Sequence, residues 1–319
     1  MPMSHIFSFI LTLCGVMFLG MALPGEALAW GPGVHMVTGN WILQNLSALP
    51  LPIAAALMQH PGAYLRGSLS PDIFIGKGSR PKKGHSHNWE SGFTLFDNAK
   101  TPQQLAYACG YLSHLAADVV AHNAFVPGLF HTVPGSGKMA HVYLEAQADR
   151  LLQWDSYDAV TVLHAESSRS NDAMLRSALR QRAFPFWLKK RLFERSVALG
   201  GSKAWRGSMR AVDALLPGRD RGPVLDRMMT LSARAIVNLL CEQRRSPLLA
   251  LDPIGAEALA RAGSAPNNTP CATALPLSRR AAPAASRPGG RLEATLDIPV
   301  PPVLETFPPL CTSDGMMPE

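Results

Sequence analysis

Residues 101–125, TPQQLAYACGYLSHLAADVVAHNAF, form the stretch that decides the fold of this chain. Apolar residues recur in it at steps of three and four, which is the spacing of an α-helix. Thr101 followed by Pro102 is typical of a helix start, with threonine as the N-cap and proline at the first helical position. The pattern therefore predicts one long helix.

Three polar residues interrupt this apolar stretch at one-turn spacing. His114, Asp118 and His122 stand four residues apart, so their side chains share one face of the predicted helix. A buried carboxylate without a partner is energetically costly. A metal ion would remove that cost and would use the imidazole nitrogens as ligands. The spacing therefore points to a metal site.

The rest of the chain up to about residue 262 has the same helical character. Apolar residues at three- and four-residue steps mark the stretches VHMVTGNWILQNL (34–46), KMAHVYLEAQADRLLQW (138–154) and VLDRMMTLSARAIVNLLCEQ (224–243). No stretch shows the alternation that predicts a strand. We therefore predict an all-α fold, with a single multi-helix domain over residues 30–262.

The N-terminus has the pattern of a secretory signal. Residues 6–23 are an apolar run, and Ala27-Leu28-Ala29 is an A-x-A cleavage site. We predict a signal peptide over residues 1–29 and export to the periplasm or the extracellular space. The weak positive charge before the run leaves an uncleaved membrane anchor as the alternative, although the run is barely long enough to span a bilayer.

The composition changes near the C-terminus. Residues 263–319 are rich in Pro, Ala and Ser and have little periodicity, which predicts a disordered tail. Four cysteines follow the predicted signal, and their wide spacings fit no zinc-finger pattern.

The charge of the chain favours an anionic partner. Its net charge is +7, which suits phosphate, a membrane surface or nucleic acid without choosing among them. Residues 176–245 hold 16 Lys and Arg against five Asp and Glu, and they include Phe184, Phe186 and Trp187. One hypothesis is peripheral binding of this stretch to an anionic membrane; solvated helix faces are the alternative.

Two further elements have metal-binding character. His141 and Glu145 stand four residues apart on the helix predicted for residues 138–154. Cleavage after Ala29 would free the α-amino group of Trp30, whose pKa of about 8 makes deprotonation near neutrality inexpensive. This nitrogen and the carbonyl oxygen of Trp30 could then close a five-membered chelate ring on a metal ion, and His35 lies five residues further on.

Taken in order, these motifs resemble the zinc-dependent phospholipase C family and the related P1-type single-strand nucleases. The motifs are Trp at the predicted mature N-terminus, a nearby His, the Asp of "PD" (71–72), H-x-W-E (87–90), SHxxAD (113–118) and H-x3-E (141–145). The resemblance covers roughly residues 30–150 and implies an all-helical domain with three zinc ions in a cleft.

The resemblance also implies a ligand set. Trp30 and His35 would hold one zinc, and Asp118 would bridge it to a second. The second zinc would be held by Asp72, His87 and His114, and the third by His122, His141 and Glu145.

Two ligand positions have alternatives. His85 stands close to His87, but His87 matches the family's H-x-W-D/E motif. His131 lies in the loop between His122 and His141 and is an alternative to His122. Three residues separate Asp118 from His122, where the phospholipases and nucleases usually have five. This spacing looks like the glycosylphosphatidylinositol-specific phospholipase D branch of the superfamily.

The activity that the resemblance implies is hydrolysis of a phospholipid phosphodiester, giving diacylglycerol and a phosphorylated head group. Asp72 would act as a ligand and as the general base. The alternatives are a P1-type nuclease on the same zinc site and a non-catalytic zinc-binding module at the membrane. Nucleic acid is a partner only in the nuclease alternative, which the spacing from Trp30 to His35 favours. The basic, aromatic-containing stretch 176–206 favours lipid.

Overall fold

The structure is a computed structural model that describes residues 30–74, 85–133, 138–165, 168–179, 183–215, 221–264 and 304. Over these ranges all of the regular structure is helical and no strand occurs, which confirms the predicted all-α fold. The predicted signal peptide (1–29) and nearly all of the predicted tail (263–319) lie outside the described residues. Both stay predictions.

The helices follow one another with short connections. They are α1 (Pro32–Gln44), α2 (Leu51–Gln59), α3 (Pro61–Leu69), α4 (Trp89–Asp97), α5 (Pro102–Val120), α6 (Val126–Leu129), α7 (Lys138–Leu151), α8 (Ser156–His164), α9 (Ser168–Ala178), α10 (Ala183–Gly200), α11 (Lys203–Leu215), α12 (Gly222–Glu242) and α13 (Ala256–Ser264). Shorter turns fill several of the connections, among them a 3₁₀ turn at Ser70–Phe74. Among the described helices, none has both the length and the apolar character needed to cross a lipid bilayer.

Helix α5 is the centre of the fold. Every residue from Ala106 to Val120 is buried, as expected of a helix that is apolar on nearly all sides. Its start follows the sequence prediction, because the Thr101 hydroxyl accepts a hydrogen bond from the N–H of Gln104 at 3.2 Å and Pro102 begins the helix. Helices α2, α3, α4 and α12 pack around α5.

The closest packing on α5 is made by α3, and glycines on both helices permit it. A Cβ atom on Gly67 would overlap the carbonyl oxygen of Tyr107, and a Cβ atom on Gly110 would overlap that of Tyr64. The two backbones therefore approach as closely as only glycine allows. This crossing brings the end of α3 and the Ser70–Phe74 turn alongside the polar face of α5.

A buried ion network joins other helices to α3. The Arg66 guanidinium bonds the Asp172 carboxylate and the Leu163 carbonyl oxygen. Lys190 Nζ lies 2.9 Å from the second oxygen of Asp172. Arg66 is 1 % exposed, so this network ties α8, α9 and α10 to α3 inside the protein.

Candidate metal centre

His114 and Asp118, on the polar face of α5, lie in one cluster with His35 of α1. His114 Nε2 lies 3.0 Å from Asp118 Oδ2, and His35 Nε2 lies 3.3 Å from Asp118 Oδ1. The imidazole rings of His35 and His114 are stacked with their centroids 3.9 Å apart. His35, His114 and Asp118 are all buried and present one ligand atom each within 4.8 Å of one another.

A second group shares His114 with the first. His87 Nε2 lies 3.1 Å from Asp72 Oδ1 and 3.1 Å from His114 Nε2. Asp118 Oδ2 lies 3.3 Å from His87 Nε2, so the two oxygens of Asp118 face the two groups. Asp72 comes from the Ser70–Phe74 turn that follows α3, and His87 comes from the segment before α4. The arrangement fits two cations with Asp118 between them.

The third group lies where α5 ends. The helix passes directly into a wider π-type turn, Ala121–Phe125, a feature that is frequent at functional sites. His122 stands in this turn, and its ring centroid is 5.1 Å from that of His141. On α7, His141 Nε2 lies 2.6 Å from Glu145 Oε1. His122, His141 and Glu145 form a third buried set with ligand atoms within 4.8 Å of one another.

Backbone carbonyls orient two of the imidazoles. His114 Nδ1 donates to the carbonyl oxygen of Ser68 at 2.8 Å, and His122 Nδ1 donates to that of Pro253 at 2.6 Å. A carbonyl oxygen accepts only a protonated nitrogen, so these bonds assign the proton of the neutral ring to Nδ1. Nε2 is then the nitrogen that binds a metal, the arrangement usual for histidine ligands.

The carboxylates of the first two groups are ionised. Burial alone would raise the pKa of Asp118, but the nearby imidazoles of His114 and His35 hold it well below its usual range. The pKa of Asp72 is also lowered, because His114 and His87 outweigh the effect of its burial. Both side chains therefore carry a negative charge at neutral pH.

The third group shows the opposite shift. Burial raises the pKa of Glu145 well above its ordinary value, and the nearby charges of Asp72, Asp118 and Asp149 add to the effect. A bound cation reverses this balance, because it is the largest local charge in such a site. Neither oxygen of Asp118 meets hydrogen-bond geometry with any residue in the described ranges. A buried carboxylate in this state fits a cation, and mixed nitrogen and oxygen donors in sets of three fit zinc.

The sequence left two ligand positions with alternatives, His87 or His85 and His122 or His131. His87 belongs to the second group, whereas His85 Nδ1 accepts the backbone N–H of His87 at 3.0 Å and so supports the loop. The side chain of His131, the alternative to His122, lies outside the described part of the chain.

Trp30 lies beside the centre. Its indole ring is fully buried, with its centroid 4.6 Å from that of Phe125 in the π-type turn. Its neighbour Gly31 lies against the Asp149 carboxylate, one turn after Glu145 on α7. The three ligand groups are formed by side chains only. That the α-amino nitrogen and the carbonyl oxygen of Trp30 act as ligands stays a prediction.

Asp149 is a residue that the sequence reasoning missed. Its two carboxylate oxygens accept hydrogen bonds from the N–H groups of Gly33 and Val34, each at 3.0 Å. They cap the first turn of α1, the helix that carries His35. Burial raises the pKa of Asp149 to about 7, the hydrogen bonds from Gly33 and Val34 oppose the rise, and the charge of Asp72 adds to it. Asp149 continues the four-residue spacing from His141 and Glu145, which was the available signal.

The segment 246–264, here called the C-terminal strap, was also missed. Its Pro253 carbonyl holds His122, and Asn123 Nδ2 donates to the carbonyl of Asp252 at 2.9 Å. Trp89 Nε1 donates to the carbonyl of Leu251 at 2.9 Å. The Asp252-Pro253 pair and Gly255 indicate a turn before a helix, but they do not indicate which part of the protein the turn contacts.

A cavity of about 560 Å³ lies between the strap and the second group. It is bordered by His87, Trp89, Asn123, Pro253 and Arg261, among others. This volume is in the range of small-molecule sites. The cavity therefore gives a ligand room beside His87.

Comparison with known proteins agrees with this centre. The model of the zinc-dependent phospholipase C family matches residues 34–186, which contain all of the side chains in the three groups. No curated protein and no solved structure matches the chain. Three buried sets of histidines and carboxylates therefore lie within the part of this chain, residues 34–186, that matches the zinc-dependent phospholipase C family.

Proposed function

We propose that this protein is an exported phospholipase C-like hydrolase that cleaves membrane phospholipids into diacylglycerol and a phosphorylated head group. The family implies a metal-dependent phosphodiester hydrolase. The observation that carries the proposal is the position of Asp118 between two adjacent buried ligand groups, with a third group at the end of the same helix. Such clustering suits a phosphodiester, whose negative charge lies on two non-bridging oxygens and is stabilised by metal ions in the transition state.

The proposal includes three zinc ions. Trp30, His35 and Asp118 would hold the first, and Asp72, His87, His114 and Asp118 would hold the second. His122, His141 and Glu145 would hold the third. The third set has three protein ligands and would therefore leave a position for water or substrate, which distinguishes catalytic from structural zinc.

Zinc ions, when bound, polarise the phosphoryl oxygens and lower the pKa of water toward neutrality. Asp72 accepts one proton from the attacking water, whose oxygen forms a bond to phosphorus. The bond from phosphorus to the diacylglycerol oxygen breaks, and that oxygen takes up a proton. One water is consumed and nothing is oxidised or reduced. The lowered pKa of Asp72 keeps the carboxylate ionised and able to accept a proton, while it also makes the carboxylate a weaker base.

The buried aromatic residues favour lipid over nucleic acid. Single-stranded nucleic acid is held by exposed aromatic rings on which bases stack. Phe74 and Phe93 near the centre are 1 % and 3 % exposed, and the indole N–H of Trp89 is bonded to the Leu251 carbonyl. Phe74 and Phe93 therefore serve packing and offer little surface to a base, whereas Trp89 is half-buried and borders the cavity beside His87.

The decisive experiment offers zinc-loaded protein two substrates, phosphatidylcholine vesicles and single-stranded DNA. We expect phosphorylated head group to be released from the lipid, with the activity lost to a chelator and restored by zinc. Asp72→Asn should lower kcat by at least about a hundredfold, since proton transfer typically contributes that much. Asp97→Asn, at a carboxylate that is 54 % exposed, is the matched control.

Three results would contradict the proposal. Cleavage of DNA without lipid hydrolysis would identify a nuclease. Full zinc content with neither activity would identify a non-catalytic module. An uncleaved N-terminus in the membrane fraction, found by sequencing the purified protein, would replace export with anchoring.

A further inference from the structure

Helix α10 exposes a row of large apolar side chains. Trp187, Leu188, Leu192 and Leu199 are 53, 53, 55 and 46 % exposed. At about 100° per residue, these four positions fall within an arc of about 140° on one side of the helix. Single exposed apolar residues are ordinary, but four on one helix face form a patch of the kind that marks an interaction site.

The opposite side of α10 holds the helix to the protein. Phe186, Phe193 and Val197 on that side are 0, 3 and 1 % exposed. Lys190 is buried there and is bonded to Asp172. The exposed row is therefore not needed for packing of the helix.

Positive charges lie within the same arc. Arg191 and Arg195 are exposed between the apolar residues. The only acidic residue in the helix, Glu194, lies at the edge of the arc, where its carboxylate is 3.0 Å from His164 and 3.9 Å from Lys190. We call Trp187, Leu188, Arg191, Leu192, Arg195 and Leu199 the α10 face. Apolar and cationic residues on one side of a helix suit an anionic lipid surface.

The buried side of α10 packs near the metal centre. The ring centroid of Phe186 is 5.8 Å from that of Phe74, which follows Asp72 by two residues in the same turn. Lys189 Nζ lies 6.0 Å from the centroid of the Phe74 ring. The first turns of α10 therefore join the α10 face, which starts at Trp187, to the turn that carries Asp72.

A second copy of the chain fits the α10 face less well. In a two-fold dimer the same patch meets itself, so Arg191 and Arg195 would face the same charges on the other copy. Like charges across an interface are unfavourable. An anionic bilayer meets both the apolar residues and the arginines favourably.

We propose that the α10 face docks the protein onto an anionic phospholipid bilayer, with Trp187 and the leucines in the interface and the arginines at the lipid phosphates. The proposal rests on the proposed function for its purpose, since docking would present lipid to the centre beside Phe74. The docking itself is measurable without turnover.

The test is sedimentation of the purified protein with phosphatidylcholine vesicles that either contain or lack phosphatidylglycerol. We expect tighter binding when phosphatidylglycerol is present. Trp187→Ala with Leu192→Ala should weaken that binding by about tenfold or more, given the apolar area removed from the interface. Arg191→Gln with Arg195→Gln should weaken it by about tenfold, and added salt should remove the difference. All proteins carry the same N-terminus, so binding by that end is common to them.

Two control variants remove side chains of the same kind, two exposed apolar residues or two exposed arginines, from surfaces outside α10. Leu51→Ala with Met58→Ala removes two apolar side chains that are 81 and 67 % exposed on α2. Arg244→Gln with Arg245→Gln removes two exposed arginines after α12. Both controls should bind vesicles as the wild type does, and circular dichroism should show that all variants are folded.

Hydrolysis of a short-chain phosphatidylcholine below its micelle concentration separates docking from catalysis. The α10-face variants should hydrolyse this monomeric substrate at the wild-type kcat/KM and should lose activity only on vesicles. Vesicle binding that is unchanged in the variants, or equal with and without phosphatidylglycerol, would overturn the docking proposal. Self-association that depends on the α10 face, without loss of vesicle binding, would overturn it in favour of a dimer. Vesicle binding by the wild type without release of head group would instead contradict the proposed function and leave the docking proposal intact.

Discussion

Gly255 lies directly against His122, although the two residues are far apart in the sequence. Gly255 has a φ of 62°, and a Cβ atom there would lie 2.5 Å from the Cβ atom of His122 and would also overlap its carbonyl oxygen. The carbonyl oxygen of Pro253, two residues before Gly255, accepts the hydrogen bond that orients the His122 ring. The strap and the third ligand group therefore form one unit.

Gly255→Ala should displace His122 from this group. We expect zinc content to fall by about one ion per chain and stability to fall by about 1–3 kcal/mol, from the overlap and the left-handed backbone. Metal analysis and denaturant unfolding measure the two effects. Gly263→Ala on α13, where an added Cβ atom meets nothing within 4 Å, is the control. Unchanged zinc content in Gly255→Ala would separate the strap from the metal centre.

Asp118 should affect more metal than His141 does. The two oxygens of Asp118 face the first and the second ligand group, whereas His141 belongs to the third group alone. We therefore expect Asp118→Ala to lose about two zinc ions per chain and His141→Ala about one, because zinc requires its full set of protein ligands. Equal losses measured on dialysed protein would contradict the bridging position of Asp118.

Asp149 should make stability depend on pH. Its pKa is raised from 3.8 to about 7, so the folded chain keeps this proton over a range in which the unfolded chain has lost it. The free energy of unfolding should therefore fall as pH rises from about 4 to 7 and then level off. The Asp149→Asn side chain cannot ionise. The free energy of unfolding of this variant should therefore fall less over the same pH range, by on the order of 2–4 kcal/mol. Urea unfolding of the zinc-free proteins across this pH range measures the difference, and parallel curves would refute the prediction.

The proposed N-terminal ligand predicts that processing controls metal content. Bulky substitutions at Ala27 and Ala29 should block cleavage and lower zinc by about one ion, because the nitrogen of Trp30 would remain an amide. Trp30→Ala in a cleaved chain should retain that zinc, because its backbone atoms are the ligands. Metal analysis of both proteins tests this prediction. A full zinc content in the unprocessed chain would exclude the α-amino group of Trp30 as a ligand.

Arg66 should matter far more for stability than an exposed arginine does. It is buried in the network with Asp172 and Lys190, and its removal leaves buried charges uncompensated. Arg66→Ala should cost about 3–5 kcal/mol. Arg244, whose side chain is 61 % exposed and pairs with Asp97, should cost about 1 kcal/mol or less when changed to Ala. Urea unfolding measures both losses of stability. A similar loss in Arg66→Ala and in the Arg244 variant would show that the buried network contributes no more than an exposed ion pair.

Local spacing predicted those parts of the centre that lie within single helices. His114 and Asp118 share the polar face of α5, and His141 and Glu145 share a face of α7, because four residues make about one helical turn. The start of α5 was equally predictable, since Thr101 and Pro102 act through the first turn alone. The membership of His35, Asp72 and His87 came from the family resemblance, because spacing does not show where separate segments meet.

The sequence by itself determined the helical class, the register of ligands along α5 and α7, and the chemistry of the side chains, because these depend on neighbours within a few residues. Only the tertiary structure decided that Pro253 and Gly255 hold His122, that Asp149 caps the helix of His35, and that α10 packs Phe186 on Phe74 and leaves its apolar row exposed. These relations arise from packing between distant segments, and a periodic pattern carries no information about which faces meet.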